Sequence, residues 1–340
     1  MCTGAGLANR RAKRVMRRRT FLGLTGGLCL LPVLSGCGRG REPLRIASHV
    51  WPGYEPMFLA RRMGWLDPER VELVETASAS ASMERLASGE IHGAALTLDE
   101  VLRVRSDLRS EGVDLCVTLI YNISAGADMV IAREAVPDLA ELRGRAIGVE
   151  ESALGAVMLH HLLAHAGLRE DDVDVVSVTI DEQEAAWNEG AIDAVITYEP
   201  VASRLMQAGG HRLFDSRSLP ETIFDVLAVR SDECRNHAGA LRHLTSAHFR
   251  ALAHIRNNPV DAGYNMAERL GVPGGDAMET FQGLVLPDYH ANQRLLGGDD
   301  PRLLTAAREN ARVMEEAGIP VDTAIDEDLV RDRFLDKGGR

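Results

Sequence analysis

The chain has 340 residues, with 50 acidic side chains against 38 basic ones and a formal charge of −12. That length is generous for a single core and fits two domains of ordinary size. So acidic a chain lacks the basic side chains that phosphate contacts demand, which excludes nucleic-acid binding and leaves the small-molecule partner open.

The amino end carries Arg10, Arg11, Lys13, Arg14, Arg17, Arg18 and Arg19 with no acidic neighbour, and then an apolar run from Phe21 to Leu34. That run is too short to cross a bilayer core of about 30 Å as a stable helix. A basic cluster, a short apolar stretch and small residues at its end mark residues 1–36 as a bacterial export signal, with Met16 a candidate for the true start. Seven of the 38 basic residues leave with the signal, so 31 remain against 50 acidic ones, a charge of −19. Cys2 and Cys29 leave too. The spacing of Cys116 and Cys234 suggests no metal site; they form one disulfide in an oxidising compartment or sit as two small buried side chains.

Leu34-Ser35-Gly36-Cys37 resembles the lipobox of bacterial lipoprotein precursors, and Arg18-Arg19-Thr20-Phe21-Leu22 resembles a twin-arginine signal. The resemblance implies a chain tethered to the membrane on its periplasmic side through acyl chains on Cys37. Several such chains, each buried CH₂ adding about 0.8 kcal/mol, anchor a domain without embedding it.

Residues 37–43 form the tether, and from Leu44 apolar strands alternate with helical segments. The first series predicts strands over Leu44–Ala47, Val71–Val74, Ile91–Leu98 and Leu115–Ile120, with helices over Glu55–Met63, Ser82–Ala87 and Glu100–Leu108. The second predicts strands over Ala146–Val149, Val173–Val178 and Ala194–Tyr198, with helices over Leu154–Ala166, Glu182–Asn188 and Val201–Ala208. Strands separated by amphipathic crossover helices imply parallel α/β sheets. Residues 85–97 can also be laid over 186–197 with a one-position adjustment, each a helix end, a glycine turn and a strand closing on threonine. That is modest support for duplicated lobes. It places Thr97 and Thr197 at strand ends, where open α/β sheets hold their ligands. Beyond Arg230 the pattern turns helical: Asp232–Asn257, Pro259–Leu270, Asp276–Leu284 and Pro301–Ala317 are predicted helices, none apolar enough to span a membrane.

Several segments in this order resemble the substrate-binding proteins of the nitrate, sulfonate, taurine and thiamine-precursor group of ATP-binding-cassette importers. They are residues 44–56 (LRIASHVWPGYEP), 60–66 (ARRMGWL), 139–149 (LAELRGRAIGV) and 197–200 (TYEP). The resemblance covers nearly all of residues 44–304. It implies an α/β, two-lobed periplasmic-binding-protein fold with a ligand cleft and a C-terminal helical extension of lobe one. Lobe one would comprise residues 44–125 and 229–340, and lobe two with its hinge crossings residues 126–228. Crossings near residues 122–131 and 214–229 would let the halves close on a small molecule, which the protein would deliver to an inner-membrane permease without any cofactor of its own.

The candidate ligand-binding residues follow from those strand ends. Trp51 and Tyr54 can wall a flat or cationic solute, with Tyr198 stacking opposite, or can simply pack their loop. Glu55 contacts the solute, or instead faces solvent or caps the next helix. Ser78 and Ser80 in the first lobe and Ser152 in the second lie where helix amino ends offer free N–H groups, which suits a carboxylate or sulfonate; simple capping is the alternative. Asp99 and Glu199 follow Thr97 and Thr197, and no lysine or arginine accompanies them; Asp225 adds to them if it lies near the returning crossover, a surface role being the alternative. Such carboxylates favour an amine or heteroaromatic cation, or a zwitterion, over an oxyanion. Asn122 is a hydrogen-bond partner at a strand end or a hinge cap. On this reading Glu199→Gln weakens an amine solute by more than about tenfold, as loss of a charged hydrogen bond would.

Enzyme signatures are weak. His160, His161 and His165 share a helix, but Leu162-Leu163 stands where a zinc proteinase motif needs glutamate, and no G-x-S-x-G elbow or phosphate loop is present. The competing readings are an exported two-lobed sensor, a carrier of an apolar lipid-like ligand and, further off, an enzyme related to thiamine-pyrimidine synthesis.

Overall fold

The computed structural model describes residues 42–336, so the segments expected to be the export signal and the twin-arginine motif, and Cys37, lie outside the described residues. In chain order the elements are β1 (Leu44–Ser48), α1 (Glu55–Arg62), β2 (Val71–Glu75), α2 (Ala79–Ala87), β3 (Gly93–Thr97), α3 (Leu98–Ser110), β4 (Leu115–Ser124), β5 (Asp128–Arg133) and β6 (Ala146–Val149). Next come α4 (Ala153–Ala166), β7 (Asp174–Ser177), α5 (Gln183–Glu189), β8 (Ala194–Tyr198), α6 (Val201–Gln207), β9 (Gly210–Asp215) and β10 (Phe224–Arg230). The chain closes with α7 (Ser231–Asn236), α8 (Ala238–Asn257), α9 (Pro259–Leu270), β11 (Leu284–Val285), α10 (Tyr289–Leu296) and α11 (Arg302–Glu316).

Two sheets result, in the orders β11-β4-β10-β3-β1-β2 and β7-β6-β8-β5-β9. The run β2-β1-β3-β10 matches β7-β6-β8-β5: three parallel strands, then one antiparallel. Thus β3 and β8, which carry the weak sequence repeat, hold the same place in their sheets. Each sheet is covered on both faces. One core of the first lobe gathers α1, α8 and α9, and the other gathers α2, α3 and α11. In the second lobe α4 covers one face and α5 with α6 the other. Ala153 and Val157 of α4 also join the α2/α3 core, so apolar contact runs from lobe to lobe.

The chain passes between the sheets twice, from β4 to β5 and from β9 to β10. Ser216 stitches the crossings together: its Oγ lies 2.7 Å from Ser124 Oγ and accepts from the Gly126 amide at 2.7 Å. Cys116 of β4 and Cys234 of α7 are paired as a disulfide in the first lobe.

Two of the predicted C-terminal helices differ. The segment 232–257 breaks at His237 into α7 and α8. Residues 276–284 are not an α-helix: a single 3-10 turn covers Glu279–Phe281, and Gly283 takes φ +83° with its Cα side against the Gly126 backbone, so the chain leaves as β11 and pairs with β4. Helix α10 was not anticipated, although Asp288 caps it by accepting from Ala291 N. Among the described residues no helix is long and apolar enough to cross a membrane.

Candidate functional site

A cavity lies between the lobes, and the residues that line it come from the carboxyl ends of equivalent strands. His49, Trp51 and Tyr54 follow β1; Thr97 ends β3; Glu150 and Ser152 follow β6; Tyr198 ends β8. The hinge strands add Asp225 from β10 and Asp128 from β5. The empty volume at these side chains is about 500 Å³, including the part that opens to solvent.

The wall supplied by the first lobe is braced from behind. The Tyr54 hydroxyl donates to Asp225 Oδ1 at 2.5 Å. With its amide turned to satisfy both neighbours, Asn122 donates to Asp225 Oδ2 at 2.8 Å and accepts from Trp51 Nε1 at 3.1 Å. Asp225 and Asn122 are register partners across β10 and β4, so sheet pairing fixes the brace. Gly53 makes it possible: a Cβ there would stand 1.8 Å from the Asn122 amide atom that faces Trp51, which is the oxygen in this orientation. Two aromatic rings, Trp51 and Tyr198, meet edge to face across the gap at 5.1 Å and 84°.

At the cavity the second lobe reaches across to the first through Glu150. Glu150 Oε1 accepts from Ser80 Oγ at 2.8 Å and from Ser80 N at 3.1 Å, at the first turn of α2. Ser152 caps α4 by accepting from Gly155 N at 3.1 Å, worth about 1 kcal/mol to that helix. Gly155 in turn lets the helix start close against Glu150, whose carbonyl would stand 2.2 Å from an added Cβ. Gln183 opens α5 and donates to Ile196 O at 2.9 Å.

Charge is one-sided here. Glu100, Asp128, Glu150 and Asp225 line the cavity, and among the described residues no lysine or arginine does. Burial raises all four carboxyls: Asp128 to about 6, Glu150 upward, and Glu100 and Asp225 well above the ordinary range, each of these last two further raised by neighbouring carboxylates. His49 adds no positive charge, because burial and then Arg269 lower it to about 3. Five lining groups carry a buried polar atom with no partner among the described residues: His49 Nδ1, Thr97 Oγ1, Asp128 Oδ2, Gln183 Oε1 and Tyr198 OH. Buried polar atoms are normally satisfied, so this set points to a polar solute, with Asp128 Oδ2 and Gln183 Oε1 calling for donors and the two hydroxyls able to donate or accept.

Of the residues singled out in the sequence, Trp51, Tyr54, Thr97, Ser152, Tyr198 and Asp225 line the cavity, and Asn122 stands directly behind it. Ser80 grips Glu150 while Ser78 caps α2, accepting from Ala81 N at 3.2 Å. Four sit elsewhere. Glu55 is buried against Arg269 of α9, which also donates to His49 O at 2.9 Å; burial outweighs that partner and raises Glu55 to about 7. Asp99 is buried behind the cavity, raised to about 7 chiefly by burial. Thr197 is buried one residue short of the lining Tyr198. Glu199 turns away to cap the next helix, accepting from Ser203 Oγ at 2.9 Å and Ser203 N at 3.2 Å. The lining residues His49, Glu100, Asp128, Glu150 and Gln183 were not picked out. A usable signal existed for two of them: His49 and Glu150 occupy the same place after β1 and β6.

A two-lobed α/β fold whose cavity is built from strand ends of both lobes defines the periplasmic binding proteins as a class. The chain belongs to the NMT1-like family, whose model matches residues 39–270. The alkanesulfonate-binding protein SsuA of Xanthomonas axonopodis pv. citri, bound to MOPS, has a TM-score of 0.69 at 16% identity, covering 84% of this chain and 96% of that one. SsuA of Escherichia coli gives a TM-score of 0.67 at 18% identity, covering 86% and 99%. The desulfurization enzyme DSZB shares the fold as well, with a TM-score of 0.61 at 20% identity over 86% and 98%. These likenesses establish the fold and not the solute. A protein of Brucella abortus (strain 2308), named no more specifically than as a binding protein, is 32% identical over 81 residues; the match spans 24% of this chain and 25% of that protein.

Proposed function

We propose that the chain is an extracytoplasmic solute-binding protein of an ATP-binding-cassette importer, and that its solute is a small cation or zwitterion bearing an amine or protonated heteroaromatic ring. The observation that carries this reading is the cavity lining: four carboxyls, two facing aromatic rings and no basic side chain among the described residues. A cation satisfies the unpartnered acceptors, draws the protons off the raised carboxyls and gains about 0.5–2 kcal/mol over an aromatic face. A sulfonate would meet four like-charged or proton-bearing groups in a dry site. Solute contacts on both lobes favour the closed form, and delivery to a membrane permease follows from the same two-state motion. Attachment through Cys37 rests on the Leu34–Cys37 sequence, and intact-mass analysis of the mature amino end tests it.

Calorimetry on the purified mature chain decides the solute class. The panel is a set of primary amines, quaternary ammonium ions and aminopyrimidines beside methanesulfonate. The reading requires saturable one-to-one binding among the cations, with no consumption of solute. Tighter binding of methanesulfonate than of every cation overturns it.

A further inference from the structure

We propose that Glu150 is a resident carboxylate ligand of the opposite lobe, clasping the lobes shut through Ser80 and keeping solute anions off the amino end of α2. Glu150 belongs to the second lobe, immediately after β6, and Ser80 to the first, 70 residues earlier. Their two hydrogen bonds, 2.8 Å from the hydroxyl and 3.1 Å from the amide, both end on one carboxylate oxygen, with the Glu150 side chain buried. This is the geometry with which an opening helix turn holds a free carboxylate, and charge on the acceptor roughly doubles such a bond.

The rest of the neighbourhood is shaped to present that carboxylate. The Glu150 carbonyl accepts from Ser152 N at 2.7 Å, and only a glycine at position 155 lets α4 begin against it. Ser78 caps α2 through Ala81 N, leaving the Ser80 amide free to turn to Glu150. The side chain also lines the cavity. Closing the lobes therefore brings in a carboxylate at the one helix end of the first lobe where an oxyanion would be held. In the second lobe Ser152 caps the matching start of α4 as Ser78 caps α2, so the Glu150 contact is what sets the first-lobe helix end apart. The bar to anions deepens the cation reading above and rests on it; the clasp does not.

The test measures lobe separation by pulsed electron paramagnetic resonance. Spin labels go on the exposed sites Glu72→Cys and Glu189→Cys in a Cys37→Ser mature chain, with acetate and methanesulfonate as probes. Glu150→Ala shifts the closed-to-open ratio toward open by about tenfold or more. Acetate in the tens of millimolar restores closure in that variant and leaves the parent unmoved. Glu151→Ala, one residue along and exposed, leaves the distances as in the parent. Ser80→Ala, which keeps the amide donor, shifts the ratio about threefold the same way, and it is the variant to read if Glu150→Ala does not fold. Unchanged distances in both variants, or a Glu150→Ala protein that opens but ignores acetate, overturn the clasp. A parent that prefers methanesulfonate to amines overturns the cation reading and the anion bar while leaving the clasp intact.

Discussion

The two walls of the cavity are built from equivalent strand ends yet behave as different materials. The first-lobe wall is cross-braced: Trp51, Asn122, Asp225 and Tyr54 form one chain of hydrogen bonds across β4 and β10. The second-lobe wall offers Asp128 Oδ2, Gln183 Oε1 and Tyr198 OH with no partner among the described residues, against His49 Nδ1 and Thr97 Oγ1 in the first. A braced wall costs little to organise when solute arrives, so on the proposed reading the first lobe supplies a preformed seat. Unpartnered polar atoms buried by closure are costly until a partner meets them, so on that reading the second lobe, with three of the five, supplies more of the discrimination.

Breaking the brace has the largest effect. In Gly53→Ala the new methyl overlaps the Asn122 amide oxygen beside Trp51, and the displaced amide must leave both Trp51 and Asp225. Overpacking of this kind costs about 1–3 kcal/mol of stability, and solute affinity should fall about a hundredfold or more as the wall loses its shape. Thermal unfolding with titration calorimetry checks both numbers; an affinity within threefold of the parent would show that the brace is dispensable.

Removing the charge at the cost of one link of the brace is the next largest change. Asp225→Asn retains an acceptor for Tyr54, deletes the carboxylate and sets an NH₂ where Asn122 now donates. Cationic solutes should weaken about tenfold to a hundredfold, in line with a hydrogen bond to a charged group, while a neutral isostere weakens much less. Equal losses for charged and neutral solutes would assign Asp225 to scaffolding alone.

The same carboxyls give the empty protein a pH signature. A carboxyl with a raised folded pKa contributes stability that is complete below its unfolded value and is lost as pH climbs through the folded value. Asp128 at about 6, Asp99 and Glu55 at about 7, and Glu100 and Asp225 well above all act in that direction. His49 and His248, both lowered to about 3, act oppositely, adding stability as pH rises from 3 to 6.5. Above 6.5 only the carboxyl effect continues. The melting temperature of the empty protein should then fall by roughly 3–6 °C between about pH 6.5 and 8.5. A saturating cation should flatten that slope. A flat or rising profile without solute would contradict the carboxyl assignment.

Much of the frame was legible in the sequence. The limits of β6, β8 and α9 follow from apolar runs bounded by glycine and proline, and the repeat correctly pairs β3 with β8. The strands β5, β9 and β10 were seen only as crossings, because their neighbours in the sheets are distant in sequence. Site residues divide along the same line. Trp51 and Tyr54 stand out by residue type, whereas Glu150 is one glutamate among many until a serine 70 residues away turns toward it. Asn122 was visible as a polar residue in an apolar strand, but its role depends on sheet register.

Glu199 separates these two kinds of knowledge most sharply and gives the smallest predicted effect. Its place after Thr197 suggested a charge facing the solute, and a more than tenfold loss on conversion to glutamine. In the structure the chain runs on through Tyr198 before turning, so the aromatic ring enters the cavity while the carboxylate folds back onto Ser203 at the start of α6. The two Ser203 donors sit on different oxygens of Glu199; glutamine keeps one for the Ser203 amide, and its NH₂ can donate to the Ser203 hydroxyl, so Glu199→Gln should cost at most about 1 kcal/mol of stability and change cation affinity by less than about twofold. Calorimetry on this variant beside Asp225→Asn makes the comparison within one experiment. A loss for Glu199→Gln as large as that for Asp225→Asn would mean that the second lobe also presents a fixed charge, and that the division between a braced seat and a selective lid is wrong.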